Sequence, residues 1–510
     1  MVFNTTSFLV FLVAVLAAYF IFGLGRNWKW QNIILLVASY VSYGFWDKRF
    51  LALLVAMTVV NYAAGWAISR SAKAGDPISR RRLWLGLAIA FDLCVLGTFK
   101  YFNFFDESLV RVLSSFGLHV DPVSLKLILP LGLSFYTFEA ISYPFDIYRG
   151  KMDHSPRFLD FALFVSFFPT VVSGPVERAS HLLPQFQSPR EVTSEKVHEG
   201  LWLILWGFFQ KLVIADSVGI IVDRVYGSHT DFQGLDIAIT MAAYTVQILA
   251  DFAGYTDIAR GVARLFGFDL VLNFNVPYAA LNPADFWERW HISLSSWFRD
   301  YVYISLGGNR KGRWRTGLNQ MVTMVLCGLW HGAAWTFVVW GAWHGLLLVV
   351  YRLVGWIGES AVRVVKSGAA ALSGGRTLNI PRPSGRAGEA AGRAIRSGGS
   401  VLNMGGRMLI MVILVGAGWA VFRATSFSQV AYLFSHIGLS HSENTLGWLL
   451  LLVLCTLPLI IVQTLQLRSG SPVFMTKANA WARGLAYGCL AAGVLIFTQR
   501  EIAHFIYQGF

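Results

Sequence analysis

Apolar segments close to twenty residues long recur along the whole chain, and no other feature restricts its fold as strongly. About twenty apolar residues let a helix cross the hydrocarbon core of a bilayer. Continuous runs predict helices rather than the alternating strands of a membrane barrel. Only 14% of the residues are charged, against about 25% in soluble domains. We therefore predict an all-α polytopic membrane protein, with residues 1–510 forming a single integral-membrane domain. The predicted embedded segments are 7–24, 31–46, 50–68, 83–104, 125–143, 158–173, 199–221, 236–256, 318–355 (long enough for two helices), 408–424, 445–466 and 482–499.

One embedded segment, 158–173, is short and runs into the irregular stretch "FFPTVVSGP". This pattern favours a re-entrant element over a complete span. Irregular backbone at membrane depth is tolerated only where protein or a water-filled cavity covers it. The sequence therefore predicts a cavity inside the helix bundle.

Basic residues set the predicted orientation. The formal net charge is +14, and in polytopic proteins Lys and Arg collect in cytoplasmic loops. No nucleic-acid-binding motif accompanies the charge. We expect 70–82, 310–315 and 359–407 to be cytoplasmic, which leaves both termini, including the tail 500–510, outside the cytoplasm. Residues 359–407 are rich in Gly, Ser, Ala and Arg, which predicts a flexible insert; contact with anionic membrane lipid is the alternative.

Two histidines lie in the apolar stretch "GLWHGAAWTFVVWGAWHG", residues 328–345. On one continuous helix His331 and His344 would point about 140° apart and lie about 20 Å apart along the axis. They would not share a catalytic atom, and a hairpin would not make them neighbours. An ionisable side chain at membrane depth is by default a functional hypothesis. For His331 the alternative is a neutral core histidine that bonds a backbone carbonyl; for His344 we favour a structural role.

A second polar region, "NPADFWERWHISLSSWFRDY" (282–301), reads as one amphipathic helix capped by Asn282 or Asp285. It is either an interfacial helix with an aromatic belt or the re-entrant wall of a polar cavity. In the second case His291 faces the cavity, and Glu288, one turn earlier, orients or charges it. The neighbours Arg299 and Asp300 are predicted to form a structural ion pair.

A metal centre is a weaker alternative. Glu288–His291 and Glu501–His504 have the Glu-x-x-His spacing found in di-iron carboxylate bundles, which need two further glutamates. Glu139 and Glu177 could supply them. Because so short a spacing arises by chance, we predict no bound metal.

Three stretches together resemble the membrane-bound O-acyltransferase superfamily: "FFPTVVSGPVERASHLLPQF" (167–186), "WERWHISLSSWFRDYVYISLGGNR" (287–310) and the stretch 328–345. Within it, the chain is most similar to the bacterial branch that O-acetylates exported polysaccharides of the alginate type. The resemblance implies a ring of tilted helices in the inner membrane, with re-entrant and amphipathic elements around a central funnel.

The resemblance also implies an activity. The chain would move an acetyl group from a cytoplasmic thioester, either acetyl-CoA or an acyl carrier, across the membrane for O-acetylation of an exported polysaccharide. No bound cofactor is implied. The family's histidine in Trp-His-Gly corresponds to His331, and its second polar position corresponds to His291. A neutral imidazole can take the hydroxyl proton. The matching residues that we expect to support the funnel are Glu288, Arg299, Asp300 and Trp330.

The last six residues, "FIYQGF", resemble an acyl-relay tail, in which a tyrosine hydroxyl accepts the acyl group before an extracytoplasmic partner takes it. This makes Tyr507 a candidate relay, with an aromatic interfacial anchor as the alternative. A separate extracytoplasmic acetyltransferase partner is implied by the family. Two other functions stay open: O-acylation of lipid or protein, and a transporter whose intramembrane histidines relay protons.

Overall fold

The structure, a computed structural model, describes residues 3, 5–22, 27–372 and 386–497, with the side chains of 356–402 left undescribed. These residues form helices and no β-strand, which confirms the predicted all-α class. The α-helices are α1 (Thr6–Phe22), α2 (Trp28–Gly44), α3 (Lys48–Lys73), α4 (Ile78–Leu96), α5 (Phe102–Ser115), α6 (Leu133–Tyr148), α7 (Phe158–Ser166), α8 (Ala179–Phe186), α9 (Ser194–Phe208), α10 (Asp216–Gly227), α11 (Leu235–Leu265), α12 (Pro283–Arg289), α13 (Ile292–Trp297), α14 (Gly312–His331), α15 (Trp335–Leu372), α16 (Arg386–Arg423), α17 (Phe427–Ser435), α18 (Thr445–Ser469) and α19 (Ala480–Phe497).

Several of these helices are long and apolar enough to cross a bilayer. Among the described residues there are eight such spans, and two of them are pairs of α-helices joined by a π-helical turn. The polytopic prediction is therefore confirmed. The spans are Lys48–Lys73, Ile78–Ser115, Ser194–Gly227, Leu235–Leu265, Trp335–Gly355, Asn403–Arg423, Thr445–Ser469 and Ala480–Phe497.

Two predicted segments are shorter in the structure. The segment 125–143 was expected to be helical throughout, but α6 begins only at Leu133. Pro130 disfavours a helix before it, and Gly132 takes a positive φ of 73° immediately before α6. In the segment 158–173, α7 has nine residues, about 14 Å at 1.5 Å per residue. That length is too small for a span, as the re-entrant prediction requires.

The apolar run 318–355 is a helical hairpin. Helix α14 ends at His331, and α15 begins at Trp335. Two glycines let the helices approach closely: a Cβ at Gly328 would collide with the carbonyl oxygen of Phe337, and one at Gly341 with that of Met324. Small residues at such crossings are typical of helices packed in membranes.

Helices also continue into the predicted insert 359–407. Helix α15 extends to Leu372 and α16 starts at Arg386, while 373–385 lie outside the described residues. That the stretch is flexible and cytoplasmic stays a prediction.

The chain forms two compact units. The first comprises the described residues of Met1–Asn273, Trp330–Ala334 and Tyr432–Phe510, and the second comprises Phe274–Leu329 and Trp335–Ala431. In the first unit, α9 and α11 cross at paired glycines. A Cβ at Gly200 would lie 2.9 Å from the carbonyl oxygen of Gly261, and one at Gly254 would lie 2.7 Å from that of Gly207. The second unit contains α12, α13, most of α14, α15 and α16.

Candidate active site

His331 is the last residue of α14. Its side chain is buried, with 3% of the residue exposed. The ring of Trp330 lies 5.0 Å from the His331 ring, and 5.4 Å from the rings of both Phe135 and Phe138 on α6. Trp330 Nε1 also donates to the carbonyl oxygen of Ser134 at 3.4 Å. The predicted supporting role of Trp330 therefore has a physical basis, because its indole anchors the end of α14 to α6.

Lys100 reaches the same helix end. It belongs to the π-helical turn Gly97–Tyr101 between α4 and α5. Its Nζ donates to the carbonyl oxygen of Trp330 at 2.7 Å and to that of His331 at 3.3 Å. The last carbonyls of a helix have no partner within the helix, and a cation there interacts favourably with the helix dipole.

The amphipathic segment 282–301 is not one helix, which corrects the prediction. Helix α12 ends at Arg289 and α13 begins at Ile292. Between them His291 has φ 43° and ψ 53°, the left-handed region that a non-glycine residue rarely adopts. The predicted cap is present, since Asn282 Oδ1 accepts a hydrogen bond from the backbone N–H of Asp285 at 2.9 Å. Strained backbone of this kind is often found at functional sites.

The break changes the surroundings of His291. The residue is completely buried, and burial lowers the pKa of its imidazole to about 3. The ring is therefore neutral near pH 7. Glu288 was predicted to orient or charge it through the spacing of one helical turn. Helix α12 ends between the two residues, and this role of Glu288 stays a prediction. Glu288 also lines a cavity.

This cavity lies within the second unit and has a volume of about 350 Å³, within the range of small-molecule sites. One face of α14 forms a wall of it, through residues spaced at three, four and seven positions from Gln320 to Cys327. His331 follows Cys327 by four residues, one further turn of the same helix. The cavity is lined by Ala284, Trp287, Glu288, Ile292, Ser295, Ser296, Phe298, Arg299, Tyr303, Gln320, Thr323, Met324, Cys327, Leu348 and Arg352.

Polar groups in the cavity could bind a ligand. Gln320 Oε1 and Trp287 Nε1 are buried, and neither has a hydrogen-bond partner among the described residues. Unpaired buried groups of this kind are uncommon, and each calls for a partner. Arg352 Nη1 lies 3.5 Å from the hydroxyl of Tyr303. The cavity can therefore accept an amphipathic ligand that supplies both a hydrogen-bond donor and an acceptor.

Arg299 and Asp300 form the predicted ion pair. Arg299 Nε donates to Asp300 Oδ1 at 2.8 Å, which raises the pKa of the guanidinium. The Arg299 side chain is 63% exposed, so the pair contributes little to stability. Its position at the cavity gives Arg299 access to a ligand as well.

His344 lies in an aromatic cluster. Its ring centroid is 4.9 Å from Trp340, 5.2 Å from Trp287, 5.9 Å from Phe286 and 6.0 Å from Trp419. Its Nε2 has no hydrogen-bond partner among the described residues. The environment supports the structural role that the sequence favoured.

The metal alternative gains no support. Glu139 Oε1 accepts from the backbone N–H of Glu177 at 3.2 Å, so the Glu139 carboxylate lies beside the Glu177 backbone. However, Glu177 Oε2 pairs with His181 Nδ1 at 2.8 Å. Within the described part of the chain no three His, Cys, Asp or Glu side chains come together as a metal site would need. Glu501 and His504 lie outside the described residues, as does the candidate relay Tyr507.

Several residues beside His331 or in the cavity were not among the predicted site residues. Lys100 could have been found, because it is a charged residue inside the apolar run 83–104. The sequence carries no comparable signal for Gln320, Trp287 and Arg352, because only the folded α12, α14 and α15 bring them to one cavity. His331 and His291 belong to different units, so their predicted cooperation stays a prediction.

Comparison with known proteins gives consistent matches. The model of the membrane-bound O-acyltransferase family matches residues 150–357. The probable alginate O-acetylase of Azotobacter vinelandii is 44% identical over 354 residues, which cover 69% of each chain. The peptidoglycan O-acetyltransferase of Helicobacter pylori is 35% identical over 380 residues, 69% of this chain and 70% of the relative. The teichoic acid D-alanyltransferase of Bacillus subtilis is 30% identical over 231 residues, 44% of this chain and 58% of the relative.

Proposed function

Because the chain belongs to the membrane-bound O-acyltransferase family and is an integral membrane acyltransferase, we propose that it O-acetylates an exported polysaccharide. It takes the acetyl group from a cytoplasmic thioester and passes it across the bacterial inner membrane. The names of its relatives, an alginate O-acetylase and a peptidoglycan O-acetyltransferase, support this class of acceptor. Alginate is the acceptor that we expect.

The position of His331 supports the proposal most directly. The residue ends a helix within the apolar hairpin, and the face of α14 that precedes it lines the cavity as far as Cys327. The cavity is large enough for the thioester arm of a donor. Gln320 and Trp287 offer an acceptor and a donor for the amides of such an arm.

In the proposed reaction, the neutral imidazole of His331 takes the proton from an acceptor hydroxyl. The hydroxyl oxygen attacks the thioester carbonyl carbon, and a C–O bond forms as the C–S bond breaks. The thiolate then takes the proton from the imidazolium, so that the base is regenerated. Such general-base help is worth roughly 10²–10⁴ in rate, and the apolar walls keep out water that would hydrolyse the thioester.

His291 has a supporting part in this scheme. A ring that is neutral near pH 7 and held by a strained backbone can orient or polarise an acyl group without taking up a proton. Glu288 and Arg299 then act from the cavity wall on the donor. Asp300 holds Arg299, and Trp330 holds the end of α14.

Complementation tests the proposal. The chain is expressed in an alginate-producing bacterium that lacks its own O-acetylase, and acetyl esters on the secreted polymer are measured by proton NMR. We expect the wild type to restore acetylation and His331→Ala to abolish it, with His344→Phe as the matched control. Membrane vesicles then receive acetyl-CoA or palmitoyl-CoA. Transfer of palmitate to lipid or protein would contradict the polysaccharide assignment, and solute transport without ester formation would favour a transporter.

Tyr507 is proposed as an acyl relay at the extracytoplasmic end of the reaction. Its phenol would receive the acetyl group as an ester, and a separate extracytoplasmic acetyltransferase would move it to the sugar. We expect mass spectrometry of the purified protein, after incubation with acetyl-CoA, to find acetyl on Tyr507. Tyr507→Phe should end acetylation of the polymer without loss of folded protein, and unchanged acetylation would rule out the relay.

A further inference from the structure

We propose that Lys100 is a positioning residue, which caps the end of α14 and thereby fixes the imidazole of His331. This role rests on the proposed function of His331. It adds a residue from a different span, Ile78–Ser115, to the transfer machinery.

The contacts of Lys100 converge on one point. Its Nζ lies 2.7 Å from the carbonyl oxygen of Trp330, 3.3 Å from that of His331 and 3.2 Å from Ser134 Oγ. It also lies 5.8 Å from the centre of the Trp330 ring. An ammonium group has three hydrogens to donate, and three oxygens receive them.

The location explains why a cation is needed there. Helix α14 stops at His331, a buried residue, and its last carbonyls have no partner within the helix. A lysine supplies both the missing hydrogen bonds and a charge that complements the negative end of the helix. Lys100 itself lies in the π-helical turn Gly97–Tyr101, and single π-turns within α-helices are frequent at functional sites.

The consequence for catalysis follows from geometry. Lys100 bonds the carbonyl of the residue that carries the reactive ring, so release of this bond moves the His331 backbone directly. A misplacement of about 1 Å in a reacting group can cost roughly 100-fold in rate. Loss of Lys100 should therefore lower kcat rather than weaken binding of the donor.

The test compares Lys100→Met, Lys100→Gln and Lys100→Arg in membrane vesicles from alginate-producing cells that lack their own O-acetylase, with acetyl-CoA as the donor. We expect Lys100→Met to lower kcat by at least about 30-fold, with KM for acetyl-CoA within about twofold of the wild type. Lys100→Arg keeps a cationic donor and should recover much of the loss, whereas the neutral Gln should recover less. Lys73→Met, at an exposed position in the last turn of α3, is the matched control and should change neither constant.

The outcomes separate the two proposals. If Lys100→Met keeps kcat within about threefold while His331→Ala is inactive, the positioning role is wrong and the role of His331 stands. If His331→Ala is as active as the wild type, both are wrong. Parallel losses of kcat, donor affinity and thermal stability, without recovery by Arg, would reduce Lys100 to a purely structural residue. Should Lys100→Met fail to fold, the order of Arg above Gln in kcat decides, and equal values overturn the role.

Discussion

The tripeptide Trp-His-Gly occurs twice in this chain, at 330–332 and at 343–345, and the two copies have different structural settings. The first copy ends α14, and its terminal carbonyls accept hydrogen bonds from Lys100. The second lies within α15, and its histidine is enclosed by aromatic rings. Identical local sequence therefore gives a polar helix end in one case and a packed aromatic cluster in the other.

The difference shows what makes an intramembrane histidine available for chemistry. A helix end exposes backbone dipoles and needs polar partners, so His331 lies among groups that can hold charge. His344 contacts rings on α12, α15 and α16, which stabilise the unit without offering a place for a reacting atom. The next four variants test this contrast, in order of decreasing effect.

Truncation of His344, the histidine of the second Trp-His-Gly copy, should lower stability more than the other three variants do. His344→Ala empties the space between Trp340, Trp287 and Trp419 and should lower the free energy of unfolding by about 3 kcal/mol, the low end for large buried rings. The thermal midpoint in detergent measures the loss. His344→Phe keeps a ring and should lose less stability, whereas His331→Ala should abolish activity. Equal thermal midpoints for His344→Ala and the wild type would contradict the structural role of His344.

The close crossing of α14 and α15 gives the second variant. A Cβ at Gly328 would collide with the carbonyl oxygen of Phe337 and lie 3.0 Å from the Cα of Gly341. Gly328→Ala should therefore cost about 1–3 kcal/mol through overpacking and should displace the end of α14, with loss of acetyl transfer. Gly317→Ala on the same helix meets Val349 at an ordinary 3.8 Å and should be neutral or slightly stabilising. A midpoint for Gly328→Ala that matches Gly317→Ala would contradict the hairpin geometry.

The third test uses pH and the neutral His291. Burial lowers the pKa of this ring to about 3, whereas an unfolded histidine titrates near 6.5. Between these values the unfolded chain binds the extra proton, so stability is complete above about pH 6.5 and falls as the pH drops towards 3. From pH 7.5 to 5 the loss from this residue is about 2 kcal/mol. His291→Asn removes the titration and tolerates the left-handed backbone; its thermal midpoint should fall less between pH 7.5 and 5.

The fold could be predicted largely because hydrophobic length is a local property of the sequence. The runs that became α3, α11, α15 and α18 were recognisable one by one. The break at His291 was not recognisable, since the sequence 282–301 keeps its amphipathic pattern across it. The left-handed backbone there is fixed by packing in the folded protein, with Trp290 and His291 completely buried. Local periodicity does not report such contacts.

The candidate site, like the fold, could be predicted from the sequence only in part. His331 could be predicted because an ionisable residue in an apolar run is conspicuous. The resemblance to the family also places the histidine of the Trp-His-Gly motif at this position. The cavity could only be inferred in general terms. Its polar groups come from three helices, α12, α14 and α15. Trp287, Gln320 and Arg352 therefore line the same cavity only in the folded protein. Lys100 carried the same local signal as His331, but its target, a pair of carbonyls more than 200 residues away, is visible only in three dimensions.

The smallest expected effect concerns Arg352, which lies two turns after His344 on α15 and lines the cavity. If the donor thioester occupies this cavity, the guanidinium can pair with a phosphate of the donor, and a partly exposed pair of this kind is worth up to about 1 kcal/mol. Arg352→Gln should then raise KM for acetyl-CoA about fivefold and leave kcat unchanged, because the contact is equal in the ground and transition states. Arg315→Gln, an exposed position on α14 outside the cavity lining, is the control for general loss of positive charge. An equal rise in KM for both variants would mean that charge near the membrane surface, and not the cavity, attracts the donor. A rise in KM for Arg352→Gln alone would show that α15 contributes to donor binding. It would do so through Arg352, although His344 on the same helix is enclosed by aromatic rings.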